Sequence, residues 1–314
     1  MMRTRGPALV TGSSGWLGRF LVARLAGDEA SVTGLDLVPC EPRDLVCDLA
    51  AEPPAIDASF ETVYHLAGLA HRVPKNNAES QRFFDVNAIG TEHLLAGLEA
   101  SPCLPEKFVL VSSVGVYGLE EGEGILEDTP REAVDPYGLS KRMAEDAVME
   151  WGARTGVVCT IVRPPLVAGP GAPGNLGAMI GAMKARRYMS VEGGRARRST
   201  VCADELCDAL IALAGSPGAF HCTDGHHPSF RELEQAFAPL LTVGTAPSLP
   251  RGVASIMAAL GDLAEKVTGR DAVFNSRRLS RMAATLTFDD SALRRVIEWS
   301  PSRVLDRADW IVSP

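Results

Sequence analysis

The octapeptide TGSSGWLG, residues 11–18, limits the fold more than any other stretch of the chain. It joins the apolar run ALVT (8–11) to the helical pattern WLGRFLVARLA (16–26). Gly12, Gly15 and Gly18 fall at i, i+3 and i+6, with Ser14, Trp16 and Leu17 between and beside them. The first two glycines permit a tight turn and let a phosphate approach backbone N–H groups. The third lets the helix lie close on the sheet. A strand, a glycine turn and a helix in that order open a sheet whose strands run parallel, because the helix carries the chain back to the edge where it started.

The rest of the first half repeats the unit. SVTGLDL (31–37), DLVCD (44–48), TVYHLAG (62–68), KFVLVSS (107–113) and VVCTIVRPP (157–165) are short apolar runs. Such runs suit parallel strands covered on both faces. A long amphipathic stretch covers about 78–99, and another helix begins near Tyr137. The expectation is an α/β chain with a Rossmann-type doubly wound parallel sheet. After Pro165 the texture changes to LVAGPGAPGNLG and then mainly helical patterns, with brief strands near 199–203 and 219–224. We expect a dinucleotide-binding domain over 1–165, joined by 199–225. A smaller, mostly helical substrate-binding region is expected over 166–198 and 226–314.

Bulk properties exclude several classes. A net charge of −8 and a pI near 5.4 do not suit a nucleic-acid binder. No apolar run approaches the ~20 residues of a membrane helix. The start, MMRTRGPALVTG, enters a strand without a secretory apolar segment. Seven cysteines with no C-x-x-C pair read as reduced thiols, so a cytoplasmic protein is expected. The scattered histidines His221, His226 and His227 lack metal-ligand company, and no metal is expected.

Asp36 ends the second strand, eighteen residues past Gly18. A carboxylate there accepts hydrogen bonds from the adenosine ribose and repels a 2′-phosphate, which favours NAD. Arg19 and Arg43 keep NADP open. Asp48, with Leu49 beside it, is either an adenine contact or an exposed turn residue. Leu66, Ala67 and Gly68 end the fourth strand, where small residues let a cofactor lie against the backbone. His65 inside that strand reads as a packed core residue. His71 and Arg72 follow it towards the cleft.

The heptapeptide DPYGLSK (135–141) carries the chemistry. Tyr137 and Lys141, four apart, share one helix face. A neighbouring ammonium and a positive nicotinamide ring are both expected to lower the phenol pKa from about 10, making it a usable proton shuttle. Lys141 is also placed to hold the nicotinamide ribose. VLVSSVGVYG ends the fifth strand at the sheet's carboxyl edge, where open α/β sheets bind ligands. Ser113, rather than Ser112, is expected to hydrogen-bond the substrate's reacting oxygen beside Tyr137.

TGSSGWLG, Asp36, HLAG, Asn87 in DVNAIGT, VSSVGVYG and YGLSK stand in the order seen in extended short-chain dehydrogenases/reductases, which the chain resembles over most of its length. It looks most like the nucleotide-sugar branch, the NAD-dependent epimerase/dehydratase family. The resemblance implies that Ser113, Tyr137 and Lys141 are catalytic. It also implies that Asn87 supports the active-site helix and that Pro164 borders the cofactor. RPPLVAGPGAPGNLGAM and RRSTVCADELCDAL are similar to the segments that hold the substrate diphosphate there, giving those roles to Asn175 and Arg198. A guanidinium suits that role because it grips phosphate oxygens in pairs. In FNSRRLSRM, Arg277, Arg278 and Arg281 are further phosphate or base-edge candidates. Dehydratases of the family carry Asp-Glu after the catalytic Thr; here Val114 and Gly115 follow Ser113, so dehydration is disfavoured. C4 epimerisation and 4-keto reduction of a UDP-hexose or UDP-HexNAc derivative, as in polysaccharide biosynthesis, rank nearly equal. Reduction of a non-sugar carbonyl and a non-catalytic sensor are the lesser alternatives. The resemblance also implies a homodimer through the helix with Tyr137 and the one before the fifth strand.

Overall fold

The computed structural model describes residues 6–27, 31–41, 44–268 and 274–313. Arg43 lies outside the described residues, as does the side chain of Arg277. In chain order the first half contains β1 (Ala8–Thr11), α1 (Trp16–Gly27), β2 (Val32–Asp36), β3 (Leu45–Val46), β4 (Thr62–His65), α2 (Asn77–Phe83), α3 (Gly90–Glu99), β5 (Lys107–Val111), β6 (Gly122–Ile125), α4 (Pro136–Thr155) and β7 (Val158–Arg163). The second half contains β8 (Leu166–Ala168), α5 (Gly174–Lys184), β9 (Ser190–Val191), β10 (Thr200–Cys202), α6 (Ala203–Leu213), β11 (Gly218–His221), α7 (Phe230–Leu240), β12 (Ser248–Leu249), α8 (Arg251–Thr268), α9 (Ser276–Ala283), β13 (Leu286–Phe288), α10 (Ser291–Arg294) and α11 (Ala308–Val312).

Seven strands form a parallel sheet in the order β11-β7-β5-β4-β1-β2-β3. The order reverses between β1 and β4, which places a crevice at their carboxyl ends. One face carries Leu21 and Leu25 of α1 with Leu206 and Leu210 of α6, packed on Val10 and Val109. The other carries Leu94, Leu98, Val148 and Trp151 of α3 and α4, packed on Leu9, Phe108 and Ile161. The alternation of inward residues along each strand therefore supplies two apolar layers, and the Rossmann-type doubly wound fold is what the structure shows.

Residues 84–89 join α2 to α3 as a π-helical turn, so 77–99 is one helical run with an extra residue in it. Such insertions re-aim side chains and collect at functional sites. After β7 the chain forms the two-stranded parallel pairs β10-β8 and β12-β9 among its helices, and β13 pairs in parallel with β6 from before α4. α6 and β11 return to the main sheet.

His65 is fully buried, with Nδ1 2.6 Å from Thr11 Oγ1 and Nε2 2.8 Å from Thr91 Oγ1. Thr91 Oγ1 spends its proton on the Asn87 carbonyl, so the ring donates from Nε2 and is neutral. Burial, helped by the Lys141 charge, lowers its pKa to about 3. The unfolded chain therefore takes up this proton near pH 6.5, while the folded chain resists until about pH 3. This contribution is complete above pH 6.5 and is lost as pH falls towards 3, at up to ~1.4 kcal/mol per pH unit. Urea midpoints measured from pH 7 to 4 should show that slope, and His65→Gln should flatten it. An unchanged slope in the variant contradicts the assignment.

Candidate functional site

Local chemistry explains why the glycine loop takes its shape. Gly12 has φ +69°, and a Cβ on it would meet the Ala67 amide nitrogen at 2.7 Å. A Cβ on Gly18 would run into the Gly12 carbonyl. Neither position tolerates a side chain, and the loop is held open at the N-terminus of α1. Ser13 Oγ is buried there without a hydrogen-bond partner. Asp36 Oδ2 accepts from the backbone N–H of Ser14 at 2.9 Å and from its hydroxyl at 2.8 Å, so the acid stands against the same loop. This bare backbone cradle, beside a carboxylate and at a positive helix end, fits the diphosphate and ribose of a dinucleotide.

Trp16 extends the cradle across the molecule. Its Nε1 donates to the Pro170 carbonyl at 2.8 Å, and its ring meets Phe20 edge to face. Leu17 packs against the core beneath α1. Leu49 is buried and Leu66 and Ala67 border the loop, while Gly68 is exposed. Asp48 is exposed and accepts from the Ala50 N–H at 3.0 Å, a turn interaction. Arg19 is also exposed.

The helix bearing Tyr137 begins as its sequence dictates. Asp135 is the N-cap and accepts from Gly138 N at 3.1 Å, while Pro136 occupies the first turn, where no N–H is needed. Gly138 has a separate reason. A Cβ there would strike the Gly115 carbonyl and stand 2.6 Å from Ala133 Cβ, so only glycine lets the helix start press on the turn after β5. That turn is capped by Ser113, whose Oγ accepts from Gly115 N at 3.0 Å. The two reacting candidates meet beside Gly115: a Cβ on it would stand 3.2 Å from Tyr137 Cε1 and 3.3 Å from Ser113 Oγ, and the two side chains are hydrogen-bonded.

One turn on, Lys141 Nζ donates to the Val111 carbonyl at 2.8 Å and is buried. Asn87, delivered by the π-helical turn, donates to Ser140 Oγ at 2.9 Å and to the Leu69 carbonyl at 3.1 Å, and accepts from Leu69 N at 2.7 Å. A Cβ on Gly68 would lie 3.1 Å from Asn87 Oδ1 and 3.3 Å from Lys141 Nζ, so these three groups share one corner. Pro164 enters through its carbonyl, which accepts from Val114 N at 3.3 Å.

The electrostatics correct one expectation. The Tyr137 pKa is raised, chiefly by burial, against a lowering hydrogen bond from Ser113 and with a further rise from Asp135. Desolvation sets the direction, and Lys141 directs its ammonium at the Val111 carbonyl. Burial in turn lowers Lys141 to about 8, opposed by the Glu145 charge.

Asn175 is exposed in the first turn of α5, and the ring of His71 lies against the adjacent Gly174. His71 has φ +60°, and burial lowers its pKa. Arg198 is engaged elsewhere than expected. Its guanidinium donates to the carbonyls of Arg197, Arg281 and Ala284 and lies over the Phe230 ring. Burial, with Arg281 nearby, lowers its pKa to about 10, so it remains a cation at neutral pH.

Sequence reasoning missed the network below the reacting groups. Glu145 is fully buried. It accepts from Arg163 at 2.9 and 2.7 Å, from Arg131 at 3.0 Å and from Ser112 Oγ at 2.5 Å. Arg163 also donates to Tyr117 Oη at 2.7 Å, which is 2.6 Å from His221 Nε2. The signal was present: Glu145 lies four residues beyond Lys141 on the same face, and Arg163 directly precedes the two prolines.

The family model of the NAD dependent epimerase/dehydratase family matches residues 8–221. The chain belongs to that family, and its cofactor is a nicotinamide dinucleotide, NAD or NADP. The N-acetyl-alpha-D-glucosaminyl-diphospho-ditrans,octacis-undecaprenol 4-epimerase of Escherichia coli O157:H7 is 27% identical over 80% of this chain and 77% of its own. UDP-glucose 4-epimerase of Vibrio cholerae is 26% identical over 95% and 91%. GDP-6-deoxy-D-mannose reductase of Pseudomonas aeruginosa is 29% identical over 74% and 80%. Of these three relatives, two are named for nucleotide-sugar substrates and one for a lipid-linked diphospho-sugar.

Breaking one side of the buried ion pair should be costly. Arg163→Met leaves the Glu145 carboxylate without its main partner and should lower the unfolding free energy by about 3–5 kcal/mol. Urea unfolding measures this. A loss below about 1 kcal/mol would mean that Arg131 and Ser112 alone satisfy the charge.

Proposed function

We propose that this enzyme transfers hydride between NAD and C4 of a nucleotide-linked hexose, with Tyr137 moving the accompanying proton. The observation that carries this reading is the meeting of Tyr137 and Ser113 beside Gly115, with the buried Lys141 one helical turn on from Tyr137. A sugar oxygen set between the two hydroxyls receives one hydrogen bond from Ser113 and exchanges a proton with Tyr137. When bound, oxidised NAD would supply the hydride acceptor and the positive ring, and reduced NAD would supply the hydride for a reduction. Lys141 is the group placed to hold the nicotinamide ribose, and Gly12, Gly15 and Gly18 to admit the diphosphate, with Asp36 facing the adenosine ribose. Asp36 also supports NAD over NADP.

The residue order disfavours dehydration, because Val114 and Gly115 follow Ser113 and neither moves a proton. Both remaining outcomes use the same three residues: an epimerase returns the hydride to the other face of C4, and a 4-ketoreductase performs the delivery alone. Substrate diphosphate is assigned to Asn175 with the α5 N-terminus and to Arg198. To bind phosphate, Arg198 exchanges its carbonyl partners for phosphate oxygens. UDP-hexoses and UDP-HexNAc derivatives are the first substrates to assay, since the chain's likeness extends along nearly the full length of a UDP-sugar epimerase. We assign the protein to the cytoplasm, consistent with seven free cysteines. We also assign a homodimer through α3 and α4, the latter with Met143 and Met149 exposed.

Tyr137→Phe should lower kcat by about 10²–10⁴ while NAD affinity, read by titration, stays within about twofold. Near-normal turnover sinks the role given to Tyr137. Arg198→Ala should cost turnover of UDP-sugars and leave reduction of simple ketones in place. Equal loss on both would remove the diphosphate assignment.

A further inference from the structure

α8 exposes the side that a surface helix ordinarily buries. Its acids point inward. Asp262 accepts from the N–H of Ser276 at 3.1 Å and from its hydroxyl at 2.5 Å, and Glu265 accepts from Asn275 Nδ2 at 2.9 Å, all at the start of α9. Ala254 and Ala258 are fully buried. The opposite side carries Val253, Ile256, Leu260 and Leu263, exposed by 46%, 65%, 61% and 57%. Their spacing of three, four and three places them on one ridge about 15 Å long. Isolated exposed apolar residues need no explanation, but a continuous helical ridge does.

The charges around the ridge select what covers it. Arg251 begins the helix with its side chain 72% exposed, and exposed Lys266 stands in its last turn. Among the described residues of α8, no exposed one is acidic. Glu192 stands 3.9 Å from Arg251, and on α9 the Ser280 hydroxyl donates to exposed Glu120 at 2.7 Å. Exposed Arg281 on α9, and Lys184, Arg186 and Arg187 ahead of β9, add cations to this region of an otherwise acidic protein. A second copy does not suit the ridge. Antiparallel pairing of two such helices sets Arg251 against Lys266, and parallel pairing sets like against like. An anionic lipid surface matches both features, because its headgroups meet the cations while the ridge enters the interface.

We propose that α8 docks this protein, peripherally, on an anionic bilayer surface. No described helix is long and apolar enough to cross a membrane, so the contact is one of lying on the surface. α9, against which α8 packs, supplies the carbonyls of Arg281 and Ala284 that Arg198 holds at one end, so docking sets the Arg198 edge near the membrane plane.

Co-sedimentation of the full chain tests this with vesicles of phosphatidylcholine, with and without phosphatidylglycerol. The wild-type protein should sediment with the anionic vesicles and much less with the neutral ones. Ile256→Ser with Leu260→Ser, and separately Arg251→Glu with Lys266→Glu, should each weaken binding about tenfold or more. Turnover in solution should be unchanged, since none of these residues touches the site. Absence of vesicle binding, or binding that neither pair of substitutions alters, overturns the proposal. So does a change in oligomeric state on Ile256→Ser with Leu260→Ser, which would show that another copy covers the ridge.

Discussion

Glu145 is a fully buried carboxylate, and the reacting edge of the sheet is arranged around keeping its charge paired. Arg163 ends β7, Ser112 follows β5, and Glu145 itself sits on α4. Three elements that carry Pro164, Ser113, and Tyr137 with Lys141 are thereby tied at one point. A buried ion pair is not in itself strong evidence of stability, since hydrophobic replacements often match it. Its value here is positional. Moving any of the three elements would leave a charge or a hydroxyl unsatisfied in a dry interior, which is far more costly than a lost surface contact.

Reactivity is built on top of that anchor by close approach. Gly138 lets the start of α4 touch the turn after β5, and the cap made by Asp135 fixes where the helix begins. Tyr137 therefore meets Ser113 as a consequence of backbone geometry. Burial then works against easy ionisation of the phenol and favours a lysine near pKa 8. This is an environment in which a nearby positive charge has a large effect, because the dielectric is low. Proton transfer at Tyr137 is thus best favoured with an oxidised nicotinamide beside it.

Much of this was legible in the sequence because it is local. The glycine spacing, the strand before it, Asp36 and the Tyr137–Lys141 interval lie within single units of structure. So do the caps Asp135 and Ser113. Less legible were features set by distant partners. Arg198 is bound by carbonyls some eighty residues later, at Arg281 and Ala284. The Arg163–Glu145 pair joins a strand to a helix that no short motif connects. The π-helical turn that aims Asn87 is hidden inside an unbroken amphipathic pattern. The direction of the Tyr137 pKa depends on how deeply the pair is buried, which spacing does not encode. The strands of the three small pairs are two to four residues long, and apart from β10 they are too short for periodicity to register.

The account depends on a dinucleotide lying in the glycine loop, and the most direct measurement is of that molecule. The purified protein is denatured, any released dinucleotide is identified by mass spectrometry, and the protein is titrated with NAD and NADP. The account predicts that NAD is released or bound, with NADP weaker because Asp36 repels a 2′-phosphate. Stoichiometric release indicates the recycling expected of an epimerase, and reversible uptake indicates a reductase. Neither release nor binding of any dinucleotide would contradict the reading of the loop and of the chemistry that follows from it.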